Sequence, residues 1–520
     1  MLPEFTLSHL LLNSVERDPG HAAVVDGARI CSYEDLWRQA SRLAGALLEY
    51  GVRRGDRVGI YLDKSLEAVV SMFAVSQIGA AFVNINSQLK EAQARHIISN
   101  CRTRALIADA NKVPALASLP VESVFYHGEG MPPITCAVAS LSEILVAGRE
   151  APAVFPVTET DLSTIIYTSG STGLPKGIML SHRNLVAGAQ IVSTYVKNTS
   201  SDRVLSILPL NFDAGLNQLT TMVRVGGTLV LQRSLLPGEI LRNLRTHSIT
   251  GLAGVPSVWP LLLQNRRSLE REPLAHLRYI TNTGGMIPQP NLDSLRRLLP
   301  GTDIYLMYGL TEAFRSTYLP PDEVHRGSSC IGRAIPNTDI WVVDEKNEEC
   351  AVDEVGELIH RGPTVALGYW GDEERTRAVY RPNPFAPPEL QATDNVVYSG
   401  DLVKRDKDGY LYFLGRRDEL IKTQGFRVSP HEIESIFYGI PEVREAAVFG
   451  KGSIGLGHAI VAVISLKDGA AMTPEEMRAI FSRSAPPYML PREIHILPEL
   501  PKTVTGKIDR SGLRHEFADV

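Results

Sequence analysis

Residues 165–182 read IIYTSGSTGLPKGIMLSH. An apolar run of strand character delivers the chain into Thr168, Ser169, Gly170, Ser171, Thr172 and Gly173, with Pro175, Lys176 and Gly177 just beyond. Gly170 and Gly173 can take positive φ and let the backbone approach a ligand closely. Exposed amides, four hydroxyls and the Lys176 ammonium can then surround an oxyanion. This is the composition of a phosphate-holding loop. It is not the GxxxxGK[ST] nucleotide loop, because Pro175 stands five residues after Gly170 and Lys176 is followed by Gly177. Taken alone, the same residues also suit a Gly/Ser-rich surface turn.

Working outward, strand and helix patterns alternate through the first four hundred residues or so. YEDLWRQASRLAGALLEYGV has helical spacing of Leu36, Leu43, Leu47 and Leu48, DRVGIYL is a short apolar strand, and RALIADA is another. Such alternation predicts an α/β fold of parallel sheets covered by helices. From about Gly332 two β-rich runs flank a polar turn at Lys346-Asn347, predicting a β subdomain. Asp408-Gly409 in DKDGY is a strong hairpin signal. Ser429-Pro430, followed by Glu432 and Glu434, opens a helix with proline early and acids in the first turn. The last hundred residues carry strands of their own, EAAVFG and HAIVAVISL, and a helix, TPEEMRAIFSRS. The division expected is residues 1–415 as a large N-terminal domain and 416–520 as a small α+β C-terminal one.

Size and charge agree with this. A chain of 520 residues exceeds one ordinary core. With 44% hydrophobic and 21% charged residues it has the composition of a globular protein. The net charge of −5 comes with no basic block, which excludes nucleic acid as an expected partner. Cys31, Cys101, Cys136, Cys330 and Cys350 are scattered and odd in number, so reduced thiols are expected rather than a disulfide frame or a zinc site. The start, MLPEFTLSHLLLNSVERDPG, lacks the cationic head of a signal peptide and reads as an amphipathic helix. The most apolar window, from Glu67, includes Ser71, Ser76, Gln77 and Gly79 and reads as a buried helix running into a strand rather than a membrane span. A cytoplasmic location without membrane insertion is expected.

YTSGSTGLPKG resembles the phosphate loop of adenylate-forming (AMP-binding) enzymes: acyl-CoA synthetases, the adenylation domains of peptide synthetases, and luciferases. Further strings stand in that family's order: YGLTE from Tyr308, GELIHRGPTVALGYW from Gly356, YSGDL from Tyr398, GRRDELIKTQGFRVSPHEIE from Gly415 and PKTVTGKIDR from Pro501. The resemblance implies an AMP-forming acid–thiol ligase: a carboxylate attacks the α-phosphate of ATP, pyrophosphate leaves, and a thiol takes the acyl group from the adenylate. It implies ATP, Mg2+, and CoA or a carrier protein's phosphopantetheine as participants. Thr168, Ser169, Gly170, Ser171, Thr172, Gly173 and Lys176 are implied to hold the β- and γ-phosphates, Thr311 the α-phosphate, and Glu312 the magnesium ion, a hard cation wanting oxygen. Tyr308 is implied to stack on adenine, with Gly284 and Gly285 permitting close approach. Asp401 can accept from both ribose hydroxyls, with Arg416 beside it. Lys507 is implied to bridge the carboxylate and the α-phosphate, and Asp418 to be the hinge on which a mobile C-terminal lid turns, bringing Gly425 over the site. His182 is read as structural, because a carboxylate substrate is already ionised at neutral pH.

For the acid itself, the resemblance places Phe212, Asp213 and Asn217 in the substrate pocket. An aspartate in a Phe-Asp pair binds the α-amine in amino-acid-activating members, so a carrier-loading amino-acid enzyme is one alternative. Gly215, Leu216 and Asn217 depart from the usual continuation of that pattern. FVNINSQLKEAQARHII, NFDAGLNQLTTMV and MYGLTEAFRSTYLPP are similar to stand-alone acyl ligases of the exosortase- and exopolysaccharide-associated type. The expectation is therefore a stand-alone ligase for a small or medium carboxylic acid, with no carrier domain attached.

Overall fold

The structure is a computed structural model that describes residues 2–116, 120–152, 156–168, 175–423, 426–452, 458–503 and 506–518. Two sheets build the large N-terminal part. In the smaller, Ala81–Asn84, Arg57–Tyr61, Ala105–Asp109, Ser123–His127 and Ala137–Ser140 run parallel to their neighbours. Leu162–Thr168 joins this sheet beside Ala81–Asn84 and then pairs antiparallel with Lys176–Ser181. The reversal is forced by the linker: so short a connection can close a hairpin but cannot cross over to a parallel position.

The larger sheet has 14 strands. Its parallel half carries Ala22–Asp26, Thr228–Leu231, Arg203–Ser206, Gly251–Gly254, Tyr279–Asn282 and Asp303–Tyr308. It then turns antiparallel through Thr317–Leu319 and Cys330–Ala334 to Leu411–Arg416, Asn395–Arg405, Val355–Arg361 and Asp339–Val343. The β-rich run after Gly332 is therefore a hydrogen-bonded continuation of the main sheet, joined through the pairing of Cys330–Ala334 with Leu411–Arg416. Asn347 and Gly409 take positive φ (64° and 82°) at the two turns expected there.

Helices fill the space between the sheets. Every residue of Leu66–Gln77 is buried, as in a helix packed on all sides, and its buried acid Glu67 is paired with Arg29. It shares one core with Tyr33–Glu49, His182–Tyr195 and Asp213–Val225. Among the described residues no helix is long and apolar enough to cross a membrane. The five cysteines are free thiols, four of them buried.

The chain leaves the main sheet at Arg416 and begins a new hairpin with Ile421–Thr423 and Phe426–Val428. The sheet beyond, Val443–Lys451, Ala459–Leu466 and Glu493–Leu497, is covered on both faces. Ala446 and Val448 pack with Ile433, Phe437 and Phe481, while Ala447 and Phe449 pack with Leu500 and Leu513. That is the two-residue alternation of a strand buried on both sides. Thr473 opens Pro474–Ser484 with a capping box closed by Glu476.

Candidate active site

The strands that flank the phosphate-type loop pair antiparallel, with Thr168 directly opposite Lys176 in the register. Ser169, Gly170, Ser171, Thr172 and Gly173 lie outside the described residues, as does Gly425. Lys176 faces a mixed set of charges. Burial and Arg375 lower its pKa, and Asp372 and Glu312 raise it. Glu312 follows the strand Asp303–Tyr308, beside the half-buried Thr311. Its carboxylate accepts from the Tyr369 hydroxyl at 2.6 Å, and its carbonyl accepts from the Ala366 amide at 2.9 Å. Tyr369 lies in the string GELIHRGPTVALGYW but is given no role by it; its strand Gly368–Tyr369 reaches this place by pairing with Lys176–Ser181.

Next to it the two long antiparallel strands set Asp401 opposite Arg416. Asp401 is 5% exposed. The Tyr308 hydroxyl donates to its Oδ2. The Arg416 guanidinium stands 3.0 Å from its Oδ1 as an ion pair, yet no donor is aligned for a hydrogen bond to that oxygen. A buried carboxylate oxygen is costly to leave without a donor, and among the described residues only the Arg416 charge offsets that cost here. Burial raises the Asp401 pKa, against the pull of Arg416 and Tyr308. Burial and the Asp401 charge together push the Tyr308 phenol well above its ordinary value. A cavity of about 360 Å³ lined by Glu312, Tyr369, Gly400, Arg416 and Asp418 connects this clamp to Glu312.

The third side of the site comes from both parts of the chain. Gly284, with φ of 76°, follows the strand Tyr279–Asn282. A Cβ there would lie 3.1 Å from Lys507 Cε and 3.6 Å from its Nζ, so a side chain would crowd the lysine. The turn is fixed from beneath: Trp259 donates to Asn282 Oδ1 at 2.7 Å, and Asn282 Nδ2 donates to the Gly285 carbonyl at 2.8 Å. Lys507 sits on a tight turn closed by the Thr503 amide on the Lys507 carbonyl at 2.7 Å, with Gly506 (φ 81°) packed toward Ser257. The residue still presents surface to solvent. Its ammonium end is nonetheless crowded enough that burial lowers its pKa, opposed by Asp213 and Asp401. Arg510 and Arg416 act in the same direction as burial.

Asp213 is the first residue of the helix Asp213–Val225, whose N-cap, Phe212, supplies no side-chain acceptor. Its Oδ1 accepts the Ala214 amide at 2.6 Å, a favourable place for a carboxylate at a helix N-terminus. Asn217, one turn further, accepts from Arg315 Nη2 at 3.3 Å through Oδ1. His182 is wholly buried, accepts the Leu7 amide at 3.3 Å, and is held neutral by burial with a pKa of about 4.

A buried ion pair supports the Lys507 loop. Arg510 donates to Glu434 Oε2 at 2.5 Å, and Glu434 Oε1 accepts the Val448 amide at 2.9 Å. Despite burial, Arg510 and His431 pull the Glu434 pKa down to about 2. A depressed folded-state pKa gives stability that is fully present above the unfolded value, about 4.3. We expect the C-terminal part to lose stability as pH falls from about 4.5 towards 2, followed by its hydrogen exchange. Glu434→Gln should flatten that dependence.

A two-sheet α/β body, a carboxylate–tyrosine–arginine clamp and a lysine brought in from a separate C-terminal unit define an adenylate-forming type of enzyme. The chain belongs to the AMP-binding enzyme family: residues 11–370 match the model for the AMP-binding enzyme, and 432–507 match that for the AMP-binding enzyme C-terminal domain. Bacitracin synthase 3 from Bacillus licheniformis is 31% identical over 514 residues, 98% of this chain and 8% of that protein. The chain thus spans a small fraction of such curated relatives. Feruloyl-CoA synthase from Amycolatopsis sp is 30% identical over 504 residues, 96% of each chain. ATP-bound MatB from Rhodopseudomonas palustris superposes with a TM-score of 0.88 at 27% identity, covering 98% of this chain and 99% of the other.

Proposed function

We propose that this chain activates a carboxylic acid with ATP as an acyl-adenylate and transfers the acyl group to the thiol of CoA or of a carrier-protein phosphopantetheine. The observation that carries this reading is Lys507, delivered by the C-terminal part onto the Gly284 turn, with Asp213 and Asp401 the acids whose charge acts on it. An ammonium there bridges a bound carboxylate and an α-phosphate and offsets the charge that builds as they join. Asp401 and Arg416 hold the ribose and fix the direction of attack. Thr311 and Lys176, with residues 169–173, take the phosphates. Glu312 fits a magnesium ion that draws most of its ligands from phosphate and water: among the described residues only its Oε1 is engaged, by Tyr369. The ion would supply charge neutralisation on the departing pyrophosphate.

The favoured substrate is an acid without an α-amine, because the Ala214 amide already occupies one oxygen of Asp213. An amino acid is the second reading, favoured by the burial of Asp213 beside the lysine and by the likeness to a peptide synthetase. ATP–pyrophosphate exchange with amino acids and their deaminated counterparts tests both. Wild type should favour the deaminated acid, and Asp213→Asn should change that preference little. If an amine is bound, the substitution should instead weaken amino-acid selection by roughly ten- to a hundredfold, the worth of a charge-assisted hydrogen bond. A wild-type preference for the amino acid that vanishes in the variant refutes the favoured reading.

A further inference from the structure

Two residues past Ala313, the chain buries an arginine without a carboxylate. Arg315 is 4% exposed. Its Nη1 donates to the Phe314 carbonyl at 2.9 Å and its Nη2 to Asn217 Oδ1 at 3.3 Å, its Cζ lies 5.4 Å from the Phe314 ring centre, and among the described residues Nε has no hydrogen-bond partner. Among the described residues no acid forms an ion pair with it. A guanidinium has five N–H donors and stays charged at any working pH. Two oxygen acceptors and an aromatic ring offset part of the cost of burying this charge, and an anion would offset far more. Asn217 is equally unfinished: it is 3% exposed, and its Nδ2 donates to nothing. Two buried polar side chains, from a helix and from the turn after Glu312, therefore leave donors open beside each other.

Their place in the fold says what would fill them. Asn217 lies four residues after Asp213 on the same helix, so the two share a face about 6 Å apart along the axis. Ala214, next to Asp213, shares a core cluster with Val255, which a Cβ at Gly284 would approach to 3.5 Å beside the Lys507 stem, so the Asp213 end of that face is the one toward Lys507. The backbone is committed to holding Arg315 inward. Phe314 takes a φ of 52°, uncommon for a bulky residue, and its ring occupies the space left by Gly188, where a Cβ would lie 2.5 Å from Phe314 Cε1. The Arg315 carbonyl accepts the Thr364 hydroxyl at 3.0 Å.

We propose that Arg315 and Asn217 form an anion subsite of the acyl pocket, so that the acid activated carries a second anionic group about one helical turn from the reacting carboxylate. The guanidinium supplies charge and a planar pair of donors suited to a second carboxylate, and Asn217 Nδ2 supplies a neutral donor. This rests on the adenylation reading above and narrows its substrate to dicarboxylic acids and their close analogues.

The test is ATP–pyrophosphate exchange with the full chain, pairing butanedioate, pentanedioate and hexanedioate with butanoate, pentanoate and hexanoate. Wild type should prefer the best diacid over its monoacid in kcat/KM. Arg315→Met should reduce that preference by roughly ten- to a hundredfold, mainly by loss on the diacid. Arg315→Lys, which keeps the charge but not the fork, should retain part of it. Asn217→Leu provides a second, independent variant and should shift the preference in the same direction. Wild-type preference for monoacids overturns the subsite and leaves the adenylation reading standing. Equal loss on both acids in both variants, with a lowered Tm, also overturns it and makes Arg315 a core strut. Absence of exchange with every acid tried overturns the adenylation reading and the subsite with it.

Discussion

Lys507→Ala should lower acyl-adenylate formation by about a hundred- to a thousandfold, the range for removing one preorganised donor from a charge-stabilising site. Thioester formation from supplied acyl-adenylate should persist near the wild-type rate. The first expectation follows from where the ammonium stands. Its stem touches the Gly284 turn, and Asp213 and Asp401 are the acids that act on it. No other lysine or arginine among those acting on it belongs to the same turn; Arg416 holds Asp401, and Arg510 holds Glu434. The second expectation follows from the chemistry. Once the adenylate exists, its leaving group is already activated, and the bridging charge has no developing bond to stabilise. Pyrophosphate exchange and single-turnover transfer from synthetic acyl-adenylate separate the two steps. Equal loss in both would remove Lys507 from its assigned role.

Much of this site was legible because its parts are short local strings. A glycine- and hydroxyl-rich turn after a strand, an acid after YGLT and a lysine in TGKIDR each belong to a string that carries the family resemblance, so they could be located without knowledge of the fold. The contacts that tune them were not legible. Tyr369 holds Glu312 across 57 positions, Arg510 holds Glu434 across 76, and Arg315 reaches Asn217 across 98. Periodicity records which face of a strand is buried, not which distant strand lies beside it. The β-rich run after Gly332 shows the same limit: its local pattern gives the antiparallel β strands that form, but not where they attach. Its membership of the main sheet depends on the non-local pairing of Cys330–Ala334 with Leu411–Arg416. Arg315 is a further case: in sequence it is one more charged residue, and only its burial without an acid gives it a role.

Asp418→Pro should have the opposite kinetic signature to Lys507→Ala. Pyrophosphate exchange should stay within about threefold of wild type, and thioester formation should fall by about a hundredfold or more, since a frozen lid blocks the later step outright. The anchoring of the chain on either side motivates this. Arg416 is fixed to Asp401 at 3.0 Å, and Arg417 is fixed by its amide to the Gly400 carbonyl at 2.7 Å and by its guanidinium to Glu357 at 2.8 Å. Asp418 is the first residue past these anchors, its side chain is 73% exposed, and the next strand starts only at Ile421. A change in φ at this point therefore moves the C-terminal unit while disturbing little else. Proline locks φ near −65° and removes an amide donor; among the described residues the Asp418 amide donates no hydrogen bond, so none is lost. Lys507 already lies at Gly284, so the arrangement needed for the first step does not require the turn. In the proposed reaction the thiol approaches the acyl carbon once the lysine loop has withdrawn, and that is the movement the substitution is expected to restrict. Asp418→Ala serves as the control: it removes the 3.3 Å contact to Arg416 while keeping a free φ, and should support both half-reactions. A proline variant that forms thioester at the wild-type rate places the pivot elsewhere between Arg417 and Ile421.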